Sequence, residues 1–187
     1  MTEPQTMDTS SNLQTGSVLF VVDMQECYLN GYKDQEYVRG RIDCVNRTIA
    51  EARSKGVTLI FIEHEFTGVL LRLVLKLFWK GAGIRGFKGF PTDGRIDRQP
   101  TDPVYLKFEE DLFSVGSVVE RLKRDRVENV VLVGQDGIYC IQGSARGGKS
   151  RGFGVTILDS GVATRSERKW RACKAALLSE GVRIVSA

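Results

Sequence analysis

Six short runs of this 187-residue chain are apolar and rich in β-branched residues, and none alternates as a strand with one wet face would. They cover residues 18–22, 57–62, 104–106, 130–133, 155–158 and 182–185. Strands without alternation are buried on both faces, which is the pattern of a parallel sheet covered by helices. Between the runs lie helical periods, the clearest being Val38, Ile42, Val45, Ile49 and Ala52 at steps of four and three. Val115, Val118, Val119 and Leu122 mark a second helix. Gly56, Gly152 and Gly181 each precede a strand directly, as helix-ending glycines do. The alternation predicts an α/β fold: a three-layer αβα sandwich with a mainly parallel six-stranded sheet, Rossmann-like, in strand order 3-2-1-4-5-6.

A chain of this length buries roughly 70% of its unfolded surface, so its core needs neither disulfides nor a structural metal. Cys27, Cys44, Cys140 and Cys173 form no C-x-x-C pair, which excludes a zinc ribbon and argues against a disulfide scaffold. The net charge of +4 is spread along the chain, so nucleic acid is not an expected partner. One histidine, His64, confines any imidazole chemistry to a single ring.

Residues 1–16 are polar with no basic start and no apolar core, and are expected to be a disordered leader of a cytoplasmic protein. The domain then occupies 17–187. Residues 69–79 are apolar but carry Arg72 and Lys76 and are too short to span a bilayer, so no membrane is expected. They open a stretch, 65–101, that breaks the β-α rhythm and is expected to be a lid or an oligomer contact. Arg85, Lys88, Arg95 and Arg98 in that stretch suit either a solvated loop or the attraction of an anionic substrate.

Open α/β sheets bind ligands beyond the carboxyl ends of their strands. Asp23, His64, Lys107, the segment 134–140 and Asp159 lie there. Asp23 is suited to act as a base or as a helix cap, and Lys107 as the partner of a carboxylate or as a solvated strand-end cation. His64 suits substrate contact or a backbone bond. Cys140 opens an expected helix whose dipole would lower the thiol pKa and make thiolate available, unless it is simply a packed thiol. Together, an acid, a cation and a thiol at the ends of strands one, three and four would meet in one crevice.

Asp23-Met24-Gln25 with Tyr28, Lys107 ahead of Phe113, and Gly134 followed six residues later by Cys140-Ile141 resemble the cysteine hydrolases of the isochorismatase-like superfamily. Ser144, Ala145, Gly152, Phe153 and Val155 extend the likeness. The resemblance implies a triad of Cys140 as nucleophile, Asp23 as base and Lys107 tuning both, acting on an amide-type C–N bond of a small molecule through a thioester. It also implies a cis peptide between Gln135 and Asp136, with the amides of Asp136 and Cys140 as oxyanion donors. Gln25, Tyr28, His64, Gln135 and Tyr139 would contact substrate, no cofactor would be used, and the protein would form a dimer or tetramer.

Some features depart from the superfamily. Its nicotinamidases hold a metal with an Asp and two His, a set that a single histidine does not supply, so no metal site is expected. Gln135-Asp136-Gly137 stands where small apolar residues are usual, which leaves a non-catalytic binding or regulatory member of the fold as an alternative. Residues 143–150 also match G-x-x-x-x-G-K-S, the phosphate-binding loop pattern, but that loop must follow its strand at once and open a helix. Here the strand should end near Gly134 and another begins soon after Ser150, so the glycines are expected to serve helix packing.

Overall fold

Val18, Phe20 and Val22 bury their side chains on one side of a sheet while Leu19 and Val21 bury theirs on the other, so the first strand shows no alternation of polarity. The structure, a computed structural model, describes residues 13–68, 73, 76–77 and 81–186. Its elements are β1 (Val18–Val22), α1 (Glu26–Leu29), α2 (Gln35–Ser54), β2 (Thr58–His64), β3 (Val104–Lys107), α3 (Gly116–Arg124), β4 (Asn129–Gly134), α4 (Gln142–Ser150), β5 (Gly154–Val162), α5 (Glu167–Ser179) and β6 (Arg183–Val185). A 3-10 turn spans Leu112–Ser114 and a π-helical turn Gly137–Ile141. The six strands form one sheet in the order β3-β2-β1-β4-β5-β6, and every pairing is parallel.

One face is covered by α2, which Asp34 caps by accepting from the Glu36 and Tyr37 amides, and which buries Val38, Ile42, Val45, Ile49 and Ala52. On the other face Val118 and Leu122 of α3, Ala145 of α4 and Trp170 and Leu177 of α5 pack together with Phe20, Ile60 and Leu132. Each fully buried Val, Leu, Ile or Phe side chain among these contributes about 1.5–3 kcal/mol relative to exposure. Gly56, Gly152 and Gly181 all adopt positive φ at the helix-to-strand joints.

The G-x-x-x-x-G-K-S text lies within α4 and not at a strand-to-helix turn. Its glycines are packing positions: a Cβ on Gly148 would meet Val155 and Phe113 at 2.9 and 3.0 Å, and one on Gly147 would meet the Asp111 carboxylate. Asp159, expected at a strand end, sits inside β5, which continues to Val162 past a register break. Its carboxylate accepts from Trp170 Nε1 at 2.8 Å and pairs with Lys174, so it anchors α5 and lies apart from the strand-end chemistry.

Much of the apolar run 69–79 lies outside the described residues, as does most of the polar leader. Leu73 and Leu77 are exposed. Residues 81–93 run against the chain that follows β1: Cys27 N donates to Gly89 O, Glu26 N to Pro91 O, Asp93 N to Met24 O, and Gln25 Nε2 to Phe90 O. Arg53 of α2 grips the return of this segment through Asp97 and Asp102, at 2.6 Å each. Arg95 is tied to Asp93 at 2.7 Å and is not a free cation.

Gly134 closes β4 at φ 122°, and a Cβ there would come within 2.1 Å of the Val22 carbonyl. Neither that backbone conformation nor the β1–β4 spacing tolerates a side chain. Gly134→Ala is expected to cost about 3 kcal/mol or more, a Tm fall of roughly 6–12 °C, measurable by thermal denaturation. A change within about 2 °C would contradict this packing.

Candidate active site

The parallel register sets His64 opposite Lys107, and Val22 between Ile62 and Gly134, so the ends of β1 to β4 open onto one crevice. Asp23, the residue after β1, adopts φ 54°, a left-handed conformation that Asp tolerates better than most residues. Its amide donates to Ile62 O and its carbonyl accepts from Gln135 Nε2 at 2.9 Å, fixing it between β2 and β4.

Lys107 ends β3 and is completely buried. Its Nζ lies 2.8 Å from Asp23 Oδ2, 3.1 Å from Cys140 Sγ and 3.0 Å from Glu109 O, the last two as hydrogen bonds. The Asp23 contact has ion-pair distance without hydrogen-bond alignment, and neither buried carboxylate oxygen has a well-angled donor. Burial works to lower the Lys107 pKa, but the Asp23 carboxylate and the Cys140 sulfur outweigh it and the net shift is upward.

Cys140 projects from the π-helical turn that precedes α4. Its pKa is pushed up, first by burial and then by the negative charge of Asp23, with Lys107 opposing. The expectation of a thiolate stabilised by a helix dipole is therefore overturned. The cause is enclosure: the sulfur is buried beside a carboxylate, within a turn that Asp136 caps and that runs on into α4.

The peptide bond Gln135–Asp136 is cis. Asp136 accepts from Ile138 N through Oδ1 and from Arg165 N through Oδ2, both at 3.2 Å, while its carbonyl accepts from the Tyr139 and Ile141 amides. Among the described residues no acceptor pairs with the Asp136 N–H. His64 Nδ1 stands 3.8 Å from Cys140 Sγ and 4.0 Å from Asp23 Oδ2, with Phe66 against its ring. Burial, then Lys107, lowers the His64 pKa, which keeps the ring neutral.

The other expected substrate contacts divide into two groups. Gln25 clasps the His64 backbone through both amide atoms, Tyr28 OH donates to His64 O at 3.0 Å, and Gln135 bonds the Asp23 carbonyl. These three shape the crevice wall through the backbone. Tyr139 is exposed. Three contributors had no visible place in the candidate set: the Glu109 carbonyl, the Asp136 carboxylate, and Ser144 Oγ, which accepts from Leu112 N and ties the loop after β3 to α4. A backbone carbonyl has no sequence signal, whereas an Asp before a Gly-led turn is a cap signal.

The sequence from residue 17 to residue 187 matches the family model of the isochorismatase domain. The chain belongs to the isochorismatase family. Curated protein sequences offer no match. Solved structures share the family fold. An isochorismatase family protein from Desulfovibrio vulgaris is 17% identical with a TM-score of 0.81, over 91% of this chain and 94% of that one. N-carbamoylsarcosine amidase from Thermoplasma acidophilum is 18% identical with a TM-score of 0.76, over 91% and 95%. Pyrazinamidase of Pyrococcus horikoshii, solved in complex with zinc, is 19% identical with a TM-score of 0.77, over 92% and 99%. Members of the family are hydrolases.

A raised thiol pKa predicts that Cys140 is protonated at neutral pH and gains reactivity only as pH rises. Its alkylation by iodoacetamide, followed by peptide mass spectrometry, should keep climbing between about pH 7 and pH 9 and be slower than that of a small free thiol. Lys107→Met, which removes the one cation lowering the pKa, should slow it further. A reactivity plateau below neutral pH would show a preformed thiolate and refute this reading.

Proposed function

We propose that this family member is an amidohydrolase that cleaves a C–N bond of a small molecule through a Cys140 thioester. The observation that carries the reading is the three-way contact in which Lys107 Nζ touches both Asp23 Oδ2 at 2.8 Å and Cys140 Sγ at 3.1 Å. A base with free lone pairs, a buried thiol and a fixed cation form one unit.

In this reading Asp23 takes the thiol proton as Sγ attacks the substrate carbonyl carbon. Lys107 steadies the negative charge moving from carboxylate to sulfur. The N–H groups of Asp136 and Cys140 receive the oxyanion. The C–N bond breaks as Asp23 returns the proton to the leaving nitrogen, and a thioester remains. Asp23 then deprotonates water, which attacks the thioester and releases the acid and the thiol. His64, neutral and beside the sulfur, contacts substrate together with Tyr139 at the surface, while Gln25, Tyr28 and Gln135 hold the walls to which substrate binds. Two structural neighbours bear amidase names, which agrees with C–N chemistry and not with vinyl-ether cleavage.

The metal of the family's nicotinamidases, held by an Asp and two His, does not fit, because His64 is the only imidazole in the chain. No step is routed through a metal. Residues 17–187 are one hydrolase domain, with 65–101 as a lid or oligomer contact, and the enzyme works in the cytoplasm as a homo-oligomer. Among the described residues no helix is long and apolar enough to cross a membrane.

A panel of linear amides, cyclic imides and carbamoyl compounds, screened by ammonia or acid release, tests the reading. Activity should appear on at least one class. Cys140→Ser and Asp23→Asn should each lower kcat/KM by about 10³-fold or more, and Lys107→Met by about 10²-fold or more. Turnover surviving in Cys140→Ser would overturn the mechanism, and binding without turnover across the panel would favour the non-catalytic alternative.

A further inference from the structure

Three side chains that the proposed hydrolysis uses also make a metal-type donor set. We propose that Asp23, His64 and Cys140 also form a binding site for a thiophilic divalent cation of the zinc class. Resting on the hydrolase reading above, we infer that occupation of this site switches the enzyme off.

The ligand atoms, a carboxylate oxygen, His64 Nδ1 and Cys140 Sγ, all lie within 4.8 Å of one another. Bonds of about 2.3 Å to sulfur and 2.0–2.2 Å to nitrogen and oxygen, at tetrahedral angles, separate ligand atoms by roughly 3.3–3.6 Å. Two of the observed separations, 3.8 Å from Nδ1 to Sγ and 4.0 Å from Nδ1 to Oδ2, exceed these by a few tenths of an ångström, and the carboxylate and the sulfur lie within 4.8 Å of each other. One oxygen, one imidazole nitrogen and one thiolate suit zinc and cobalt, and suit magnesium and calcium poorly. An independent sign comes from Asp23, whose two oxygens are buried with no aligned hydrogen-bond donor. A carboxylate in that state is free to accept a ligand bond.

Lys107 is the competitor. Its ammonium occupies the cation position, 2.8 Å from Asp23 and 3.1 Å from Cys140, and a divalent ion there would repel it. Glu109 O, already 3.0 Å from Nζ, remains a partner of the ammonium as it gives way. The chemistry is ligand exchange without redox: the Cys140 S–H bond breaks, its proton leaves to the buffer, and a sulfur–metal bond forms. With Sγ and Asp23 both bound, neither attack nor proton transfer is available. This site differs from the Asp and two His of the metal-bearing relatives, since it uses the nucleophile itself.

Cobalt(II) titration of the full chain, followed by absorption spectroscopy, tests the site. Expected are one equivalent bound, a near-ultraviolet thiolate-to-cobalt band, the strong visible bands of tetrahedral cobalt, and displacement of all of these by zinc. Cys140→Ser should remove the charge-transfer band, and His64→Ala should weaken zinc binding about tenfold or more. Lys107→Met should tighten it by a similar factor. In the unmutated protein, zinc should protect Cys140 from iodoacetamide at alkaline pH while Cys27, Cys44 and Cys173 stay reactive, a readout needing no variant. An octahedral cobalt spectrum, a charge-transfer band that survives Cys140→Ser, unprotected Cys140, or unchanged affinity in Lys107→Met would each overturn the proposal. None of these measurements uses turnover. A protein that binds cobalt this way but hydrolyses no amide would sink the hydrolase reading and leave the metal site standing.

Discussion

Everything in the crevice turns on one completely buried ammonium, that of Lys107. Removing an ammonium from water costs several kcal/mol, and the loss is offset only when every donor finds a well-placed acceptor. Here a thiol sulfur and a backbone carbonyl accept hydrogen bonds and a carboxylate supplies the counter-charge, drawn from the turn before α4, the loop after β3 and the residue after β1. The cation thus dictates where the other two side chains sit, and they in turn keep it charged. The same arrangement pushes the thiol pKa up: burial first, and then the charge of Asp23, oppose a thiolate more strongly than one shared lysine favours it.

The sheet makes that meeting possible. All the pairings are parallel, so the strand ends fall on one edge, and burial on both faces leaves this edge as the place where charged groups emerge. Gly134 lets β4 approach β1 closely enough for Gln135 to bond the Asp23 carbonyl. The Asp136 carboxylate then caps the turn that carries Cys140 and ties it to Arg165 beyond β5. Each link is short-range, yet together they join four strands.

The layer architecture was legible because it depends on polarity patterns: the five apolar positions from Val38 to Ala52 are those that α2 buries. Asp23, Lys107 and Cys140 were singled out by their places at the strand ends, and the parallel sheet does bring them together: Asp23 follows β1, Lys107 ends β3 and Cys140 lies in the turn after β4. What was not legible depends on three-dimensional enclosure. The helix-dipole argument for Cys140 assumed an accessible helix start, and nothing in the local sequence reports the burial that reverses it. Residue type marked Gln25, Tyr28 and Gln135, but their partners are backbone groups of residues 64, 90 and 23, which no side-chain pattern encodes. Asp159 misled because a strand's end is set by its neighbour's register as much as by its own residues.

Asp23, His64, Lys107 and Cys140 are separated along the chain by whole crossover units, and no adjacent pair of elements contains the complete set. Contacts of such sequence separation form late, after the loops between them have closed. A newly made or partly unfolded chain therefore carries an ordinary exposed thiol with no base and no cation beside it. Chemical competence appears only with the finished sheet, which makes the state of Cys140 an internal report on whether this molecule has folded.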